Sequence, residues 1–181
     1  MQKAAFLDRD GVINVDHGYV HTKEDFEWIP GVKEAARMLH EAGYLLIVVT
    51  NQSGIARGMF TEEEFLDLDS YMREEFAKAG APIARTYYCP HHPQGIVPKY
   101  SITCNCRKPA PGLFLKAIKE FDIDPAQSVA FGDSLRDISA AEKSGVGGRI
   151  LLGKNGTNKP IPCPDNTSYA DSLLSAVNQL I

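Results

Sequence analysis

The sequence predicts an α/β fold built on a doubly wound parallel sheet. Three observations carry that prediction. Residues 44–50 (Tyr-Leu-Leu-Ile-Val-Val-Thr) form a continuous, β-branched apolar run, as expected of a strand buried on both faces. Shorter strand-like runs at 4–8, 85–89, 128–132 and 148–152 alternate with amphipathic helical stretches, the pattern of right-handed βαβ crossovers. At 181 residues, 44% hydrophobic and 23% charged, the chain has the size and composition of one ordinary globular domain spanning 1–181.

The helices follow in order. Pro30 is placed to open the first, whose apolar stripe is Val32, Ala35, Ala36 and Leu39, with Gly43 after its end. Thr61 with Glu64 reads as a capping box, and Phe65, Leu68, Met72 and Phe76 mark one face up to Gly80. Leu113, Phe114, Ala117, Ile118 and Phe121 mark a third helix. Ser134 is placed to cap a fourth that ends at Gly145, and a last helix covers about 170–180. Residues 89–107, rich in Pro, His and Cys, read as an inserted loop. Residues 153–167, with turn signals at Asn155-Gly156, read as irregular.

Bulk properties exclude several functions. The net charge of −4 argues against a nucleic-acid partner, which needs a basic face. No apolar run approaches the about 18 residues that cross a bilayer, so no membrane partner is expected. Asp8 and Asp10 interrupt the first apolar stretch too early for a signal peptide, which predicts a cytoplasmic protein. A monomer is expected.

In a doubly wound sheet, ligands bind beyond the carboxyl ends of the strands. Three predicted ends carry chemistry: Asp8-Arg9-Asp10-Gly11, Thr50-Asn51-Gln52-Ser53, and Gly132-Asp133-Ser134. Arg107-Lys108-Pro109 precedes the third helix. Taken singly, Thr50 is an ordinary β-branched strand residue, Lys108 a solvated charge and Asp133 a helix cap. Their coincidence at one sheet edge is a kit for phosphoryl transfer. Two carboxylates can serve as nucleophile and as acid and base, and a divalent cation such as Mg²⁺ with a lysine can offset phosphate charge.

Cys89-Pro90-His91 and Cys104-Asn105-Cys106 place three thiols and an imidazole in one loop. Clustering of this kind in a reducing compartment favours a closed, structural Zn²⁺ site over a disulfide. His92 is the alternative imidazole, and Cys163 reads as an unpaired thiol.

These motifs together resemble the phosphatase branch of the haloacid dehalogenase superfamily. The Cys-x-His…Cys-x-Cys-Arg-Lys-Pro arrangement resembles the zinc-loop subgroup within it that acts on heptose bisphosphates or histidinol phosphate. Asp16-His17-Gly18-Tyr19, the 50–58 stretch and Cys89-Pro90-His91-His92-Pro93 are more similar to the heptose members. The resemblance implies a Rossmann-like fold without a large cap domain and a small sugar bisphosphate as substrate. It implies that Asp8 attacks phosphorus and that Asp10 protonates the leaving oxygen, then activates water. Asp8, the Asp10 backbone carbonyl and Asp133 would hold Mg²⁺; Thr50 and Lys108 would bind phosphoryl oxygens. Cys89, His91, Cys104 and Cys106 would hold Zn²⁺. Substrate contacts are expected from Asp16, His17, Gly18, Tyr19, Asn51, Gln52, Ser53, Arg57, Arg107 and Ser134, the last standing where some members carry lysine. Asp137 fits either a group behind the metal ligands or a surface acid.

Two readings from other classes compete. A phospho-accepting signalling domain is disfavoured because Asp10 would hydrolyse the acyl phosphate. A zinc-organised nucleic-acid module is disfavoured by the acidic balance.

Overall fold

A computed structural model describes residues 1–153 and 163–181. Six parallel strands, β1 (Ala4–Leu7), β2 (Leu45–Asn51), β3 (Ile83–Cys89), β4 (Val129–Gly132), β5 (Gly148–Leu152) and β6 (Thr167–Ala170), form one sheet in the order β3-β2-β1-β4-β5-β6. The helices are α1 (Val32–Glu41), α2 (Glu62–Lys78), α3 (Gly112–Glu120), α4 (Leu135–Lys143) and α5 (Leu173–Leu180).

Strand alternation divides the core in two. On one face, Ala5, Leu7, Leu46, Val48 and Phe131 pack with Val32, Ala36 and Leu39 of α1 and with Leu173 and Val177 of α5. On the other, Ala4, Phe6, Ile47, Val49 and Ala130 pack with Leu113, Phe114 and Ala117 of α3 and with Ala140 and Ala141 of α4. Both faces of the central strands are therefore apolar, as a parallel sheet covered by helices requires.

The capping box at Thr61 and Glu64 is present, with Glu64 N–H donating to Thr61 Oγ1 at 3.1 Å. Pro30 does not open α1. Gly31 intervenes at φ 83°, and Val32 is the first helical residue. In that left-handed conformation glycine avoids the Cβ clash of other residues. Leu174 of α5 would also lie 2.6 Å from a Cβ there. β6, which the sequence reading did not predict, begins at the last residue of the stretch read as irregular, and the last helix starts at Leu173, not near 170. The predicted turn at Asn155-Gly156 lies outside the described residues. Among the described residues, no helix is long and apolar enough to cross a membrane.

The chain runs outward from β1 through β2 to β3, then returns to β4 on the other side of β1. The strand order thus reverses at the β1–β4 pair, where a crevice opens beyond the carboxyl ends. Register brings those ends level, because Leu7 pairs with both Val48 and Phe131.

Candidate active site

Just past that register, Asp8 N–H donates to the Phe131 carbonyl at 3.2 Å, which sets the Asp8 side chain beyond β1 and β4. A cleft of about 380 Å³ opens there. Asp8, Asp10, Lys108, Asp133 and Asp137 line its floor, and Asn51, Gln52, Ser53, Arg57, Arg107 and Ser134 line it from other elements. Asp16, Gly18 and Tyr19 complete one wall. Gly18 and Tyr19 both adopt positive φ, 81° and 53°, a turn that brings the half-exposed Tyr19 to the rim.

Lys108 is 2% exposed and is the electrostatic centre of the floor. Its Nζ lies 2.6 Å from Asp137 Oδ1 and 3.1 Å from Asp8 Oδ1, and donates to the Val49 carbonyl at 2.8 Å. Asn51 fixes the Lys108 backbone on both sides: its Oδ1 accepts from Lys108 N–H at 3.0 Å, and its Nδ2 donates to the Lys108 carbonyl at 3.1 Å. Burial opposes the charge on Lys108, but Asp137 and Asp8 overcome it and raise its pKa. Burial followed by the Asp137 carboxylate raises Asp8 well above the usual carboxylate range. The same two causes push Asp133 up to about 7. Asp137 is lowered because Lys108 and hydrogen bonds from Ser134 outweigh its burial. Lys108→Met is therefore expected to destabilise the fold by about 3–5 kcal/mol, because it strands Asp137 as a buried unpaired charge. Denaturant midpoints check this; an unchanged midpoint contradicts it.

Carboxylate oxygens of Asp8, Asp133 and Asp137 lie within 4.8 Å of one another. A hard divalent cation such as Mg²⁺ fits this all-oxygen set and would offset its self-repulsion. Asp137 is otherwise engaged. Its Oδ2 accepts from the Asp133 and Ser134 N–H groups at 3.1 and 3.2 Å and from Ser134 Oγ at 3.1 Å. That places it behind the cluster as a brace for Asp133 and Lys108, not on the surface. Gly11 closes the other side. Its φ is +87°, and a Cβ there would meet Asp133 Oδ2 at 1.9 Å. Gly11→Ala should therefore displace Asp133 and weaken Mg²⁺ binding, on top of a backbone cost of about 1–2 kcal/mol. Calorimetric titration with Mg²⁺ reads this, and unaltered affinity would refute it.

Asp10 turns to different partners. Arg9, Asn14 and Gln52 donate to its carboxylate. Thr50 is 1% exposed and lies behind the lining, where its hydroxyl accepts from Gln52 Nε2 at 3.0 Å. His17 does not join the cleft lining; its Nε2 is 2.6 Å from Glu27 Oε2 on an exposed turn. Arg9 and Arg136 are additions that the sequence reading did not single out. Arg136 lines the cleft with Arg57 and Arg107. Burial, then the Arg136 and Arg57 guanidiniums, lowers the Arg107 pKa, which marks a self-repelling cationic rim.

The second cluster sits beside this rim. Cys89, His91, Cys104 and Cys106 place one ligand atom each within 4.8 Å of the others. The Cys106 sulfur is 3.1 Å from Cys89, 3.3 Å from Cys104 and 3.3 Å from His91 Nδ1. All four cysteines are free of disulfides. Three sulfurs and a nitrogen so disposed fit a tetrahedral soft-ligand site, the preference of zinc. Burial and the Cys106 thiol push the Cys89 thiol up, so a bound dication is what would stabilise thiolates here. His92 stands outside the cluster, with Nε2 3.1 Å from Arg57.

Residues 2–145 match the model of a hydrolase family described as haloacid dehalogenase-like hydrolase. The D-glycero-beta-D-manno-heptose-1,7-bisphosphate 7-phosphatase of Vibrio cholerae is 54% identical over 174 residues, covering 96% of this chain and 89% of that protein. The enzyme of the same name from Yersinia pestis is 48% identical over 177 residues, covering 98% and 92%. The crystal structure of D,D-heptose 1,7-bisphosphate phosphatase from B. bronchiseptica, complexed with magnesium and phosphate, superposes with a TM-score of 0.86 at 32% identity, covering 98% of this chain and 97% of that one. This chain belongs to the haloacid dehalogenase-like hydrolase family.

Proposed function

We propose that the chain is a Mg²⁺-dependent phosphatase that removes the C7 phosphate of D-glycero-β-D-manno-heptose 1,7-bisphosphate. The product, heptose 1-phosphate, would feed nucleotide-activated heptose for lipopolysaccharide. One observation carries the reading: a half-buried aspartate, paired with a buried lysine and clustered with two further carboxylates, faces a cleft with three arginines at its rim. Near-full-length relatives bearing that activity support it.

The chemistry follows from the residues. Asp8 attacks phosphorus in line with the C7 oxygen, and the P–O bond to the sugar breaks as the aspartyl phosphate forms. Asp10 gives its proton to the departing oxygen. Asp10 then takes a proton from water, which attacks the phosphoryl group and restores the Asp8 carboxylate. Lys108 holds phosphoryl oxygens against their repulsion from Asp8, and Thr50 holds the Gln52 amide that also donates to Asp10. Mg²⁺ on Asp8, Asp133 and the Asp10 carbonyl would supply the remaining positive charge.

Arg57, Arg107 and Arg136 would take the distal 1-phosphate, since an anion relieves their mutual repulsion. A single-phosphate substrate would leave that rim unpaired. The Cys89/His91/Cys104/Cys106 cluster would hold a structural Zn²⁺ whose role is to fix the backbone that carries Arg107 and Lys108. We place the enzyme in the cytoplasm as a monomer of one domain.

A phosphate-release panel tests the reading. Heptose 1,7-bisphosphate should outpace histidinol phosphate and fructose 1,6-bisphosphate, and only with Mg²⁺ present. Equal or faster release from histidinol phosphate would overturn the substrate assignment.

A further inference from the structure

Arg9 lies between the two aspartates of the β1 end, yet it is 1% exposed and heads the fully buried side chains by size. Burying a guanidinium is costly unless it is paired with good geometry. Its partner is Asp10. Nε and Nη2 donate to Asp10 Oδ1 at 3.2 and 2.9 Å, and Nη2 also reaches Oδ2 at 3.2 Å. Two more buried donors complete the grip: Asn14 Nδ2 on Oδ1 at 3.0 Å and Gln52 Nε2 on Oδ2 at 3.2 Å. Arg9 is itself held by the Val20 carbonyl at 2.7 Å and by the Phe65 ring, 5.8 Å from its Cζ.

Fold stability alone does not account for this arrangement. Arg9 Nη1 is buried and makes no hydrogen bond among the described residues. The fold tolerates an orphan donor at this point while three hydrogen bonds run from the same guanidinium to one carboxylate that is 23% exposed at the cleft. Val20 also belongs to the 14–28 stretch that brings Asp16, Gly18 and Tyr19 to the cleft wall. One side chain thus joins the wall to the Asp10 carboxylate.

We propose that Arg9 is a positioning residue that fixes the Asp10 carboxylate at the angle proton transfer requires and ties it to the cleft wall. The proposal rests on the reading of Asp10 as the proton-transfer group. A carboxylate free to rotate would lose alignment with the leaving oxygen, and proton transfer tolerates little misplacement.

The test uses two leaving groups. The sugar oxygen needs a proton to depart; the nitrophenolate of p-nitrophenyl phosphate does not. In Arg9→Met, kcat on heptose 1,7-bisphosphate should fall roughly 10- to 100-fold with KM held within about twofold, while the first-turnover burst of nitrophenolate keeps its rate. A burst slowed by the same factor as sugar turnover, or unimpaired sugar turnover, overturns the proposal. If Arg9→Met does not fold, Arg9→Lys, which keeps a buried cation and loses the fork, is held to the same outcomes. Asp10→Asn is the reference and should show the pattern more strongly. Impaired Asp10→Asn beside unimpaired Arg9→Met overturns the role of Arg9 alone. Unimpaired Asp10→Asn overturns the assignment of Asp10 and the proposal with it.

Discussion

Replacing Asp8 with asparagine is expected to reduce turnover roughly 10⁴-fold or more while leaving the chain folded. The amide is almost the same size as the carboxylate but cannot attack phosphorus, so no aspartyl phosphate forms. The effect on stability has the opposite sign. Burial and the neighbouring Asp137 and Asp133 carboxylates all disfavour a charge on Asp8, whereas Lys108 and the Arg9 backbone N–H favour it. Lys108 keeps its shorter contact, 2.6 Å to Asp137, in the variant. Removing one of three crowded carboxylates therefore leaves the lysine paired and reduces like-charge repulsion. The thermal midpoint should equal or exceed that of the parent. Phosphate release near the parental rate would remove Asp8 as nucleophile; a midpoint lowered by many degrees would show that the electrostatic account of the floor is wrong.

Cys104→Ser should have the second largest effect. Structural zinc sites contribute on the order of 10–16 kcal/mol of apparent binding free energy at neutral pH. In this chain that energy would order residues 89–107, whose only regular element after the end of β3 at Cys89 is the 3₁₀ turn at Pro98–Tyr100. The loop is otherwise tied down locally: the Ala56 carbonyl accepts from Ile96 and Val97 N–H at 2.8 and 3.0 Å, and Tyr100 donates to Glu62 at 2.5 Å. Those bonds anchor its outer part; the cysteine and histidine cluster ties its two ends together beside Arg107, together with Asn51, which pairs with Cys89 in the sheet and holds the Lys108 backbone. Loss of one sulfur ligand is expected to reduce zinc from about one per chain to near none, to expose 89–107 to proteolysis, and to raise KM by displacing Arg107. Metal analysis with limited proteolysis reads this. Cys163→Ser, which lies outside the ligand set, should change neither. A full zinc complement in Cys104→Ser would contradict the ligand set.

Much of this was legible in the sequence because burial and strand-end chemistry leave local marks. The run ending at Thr50 could only be an interior strand, and the two aspartates after Leu7 stood out against the apolar residues before them. β6 left no such mark. Thr167–Ala170 is an edge strand with one buried residue, so its pattern matches a loop as well as a strand. The start of α1 was misplaced because proline at a first helical position is a common signal, whereas here a left-handed Gly31 resets the backbone after it.

In the site, residues that face substrate were easier to find than those that hold them. Arg9 alternates away from Asp8 and Asp10, and a charged residue directed into the core has no distinctive sequence signature. Asp137 did have one. Ser134 and Asp137 form a capping box, a spacing that could have separated the buried brace from the surface acid. Arg136 follows from the same helix start, which turns its side chain toward the cleft. His17 misled because proximity to the Asp16–Tyr19 turn does not fix direction; its ring pairs outward with Glu27.

The central claim is that Asp8 carries the phosphoryl group between sugar and water. Acid quenching within the first turnover, followed by borohydride reduction, converts a phosphorylated aspartate to homoserine, which peptide mass spectrometry locates. Homoserine at position 8, formed only with substrate and Mg²⁺ and absent from Asp8→Asn, is the predicted result. Phosphate released at full rate with residue 8 recovered only as aspartate would contradict it.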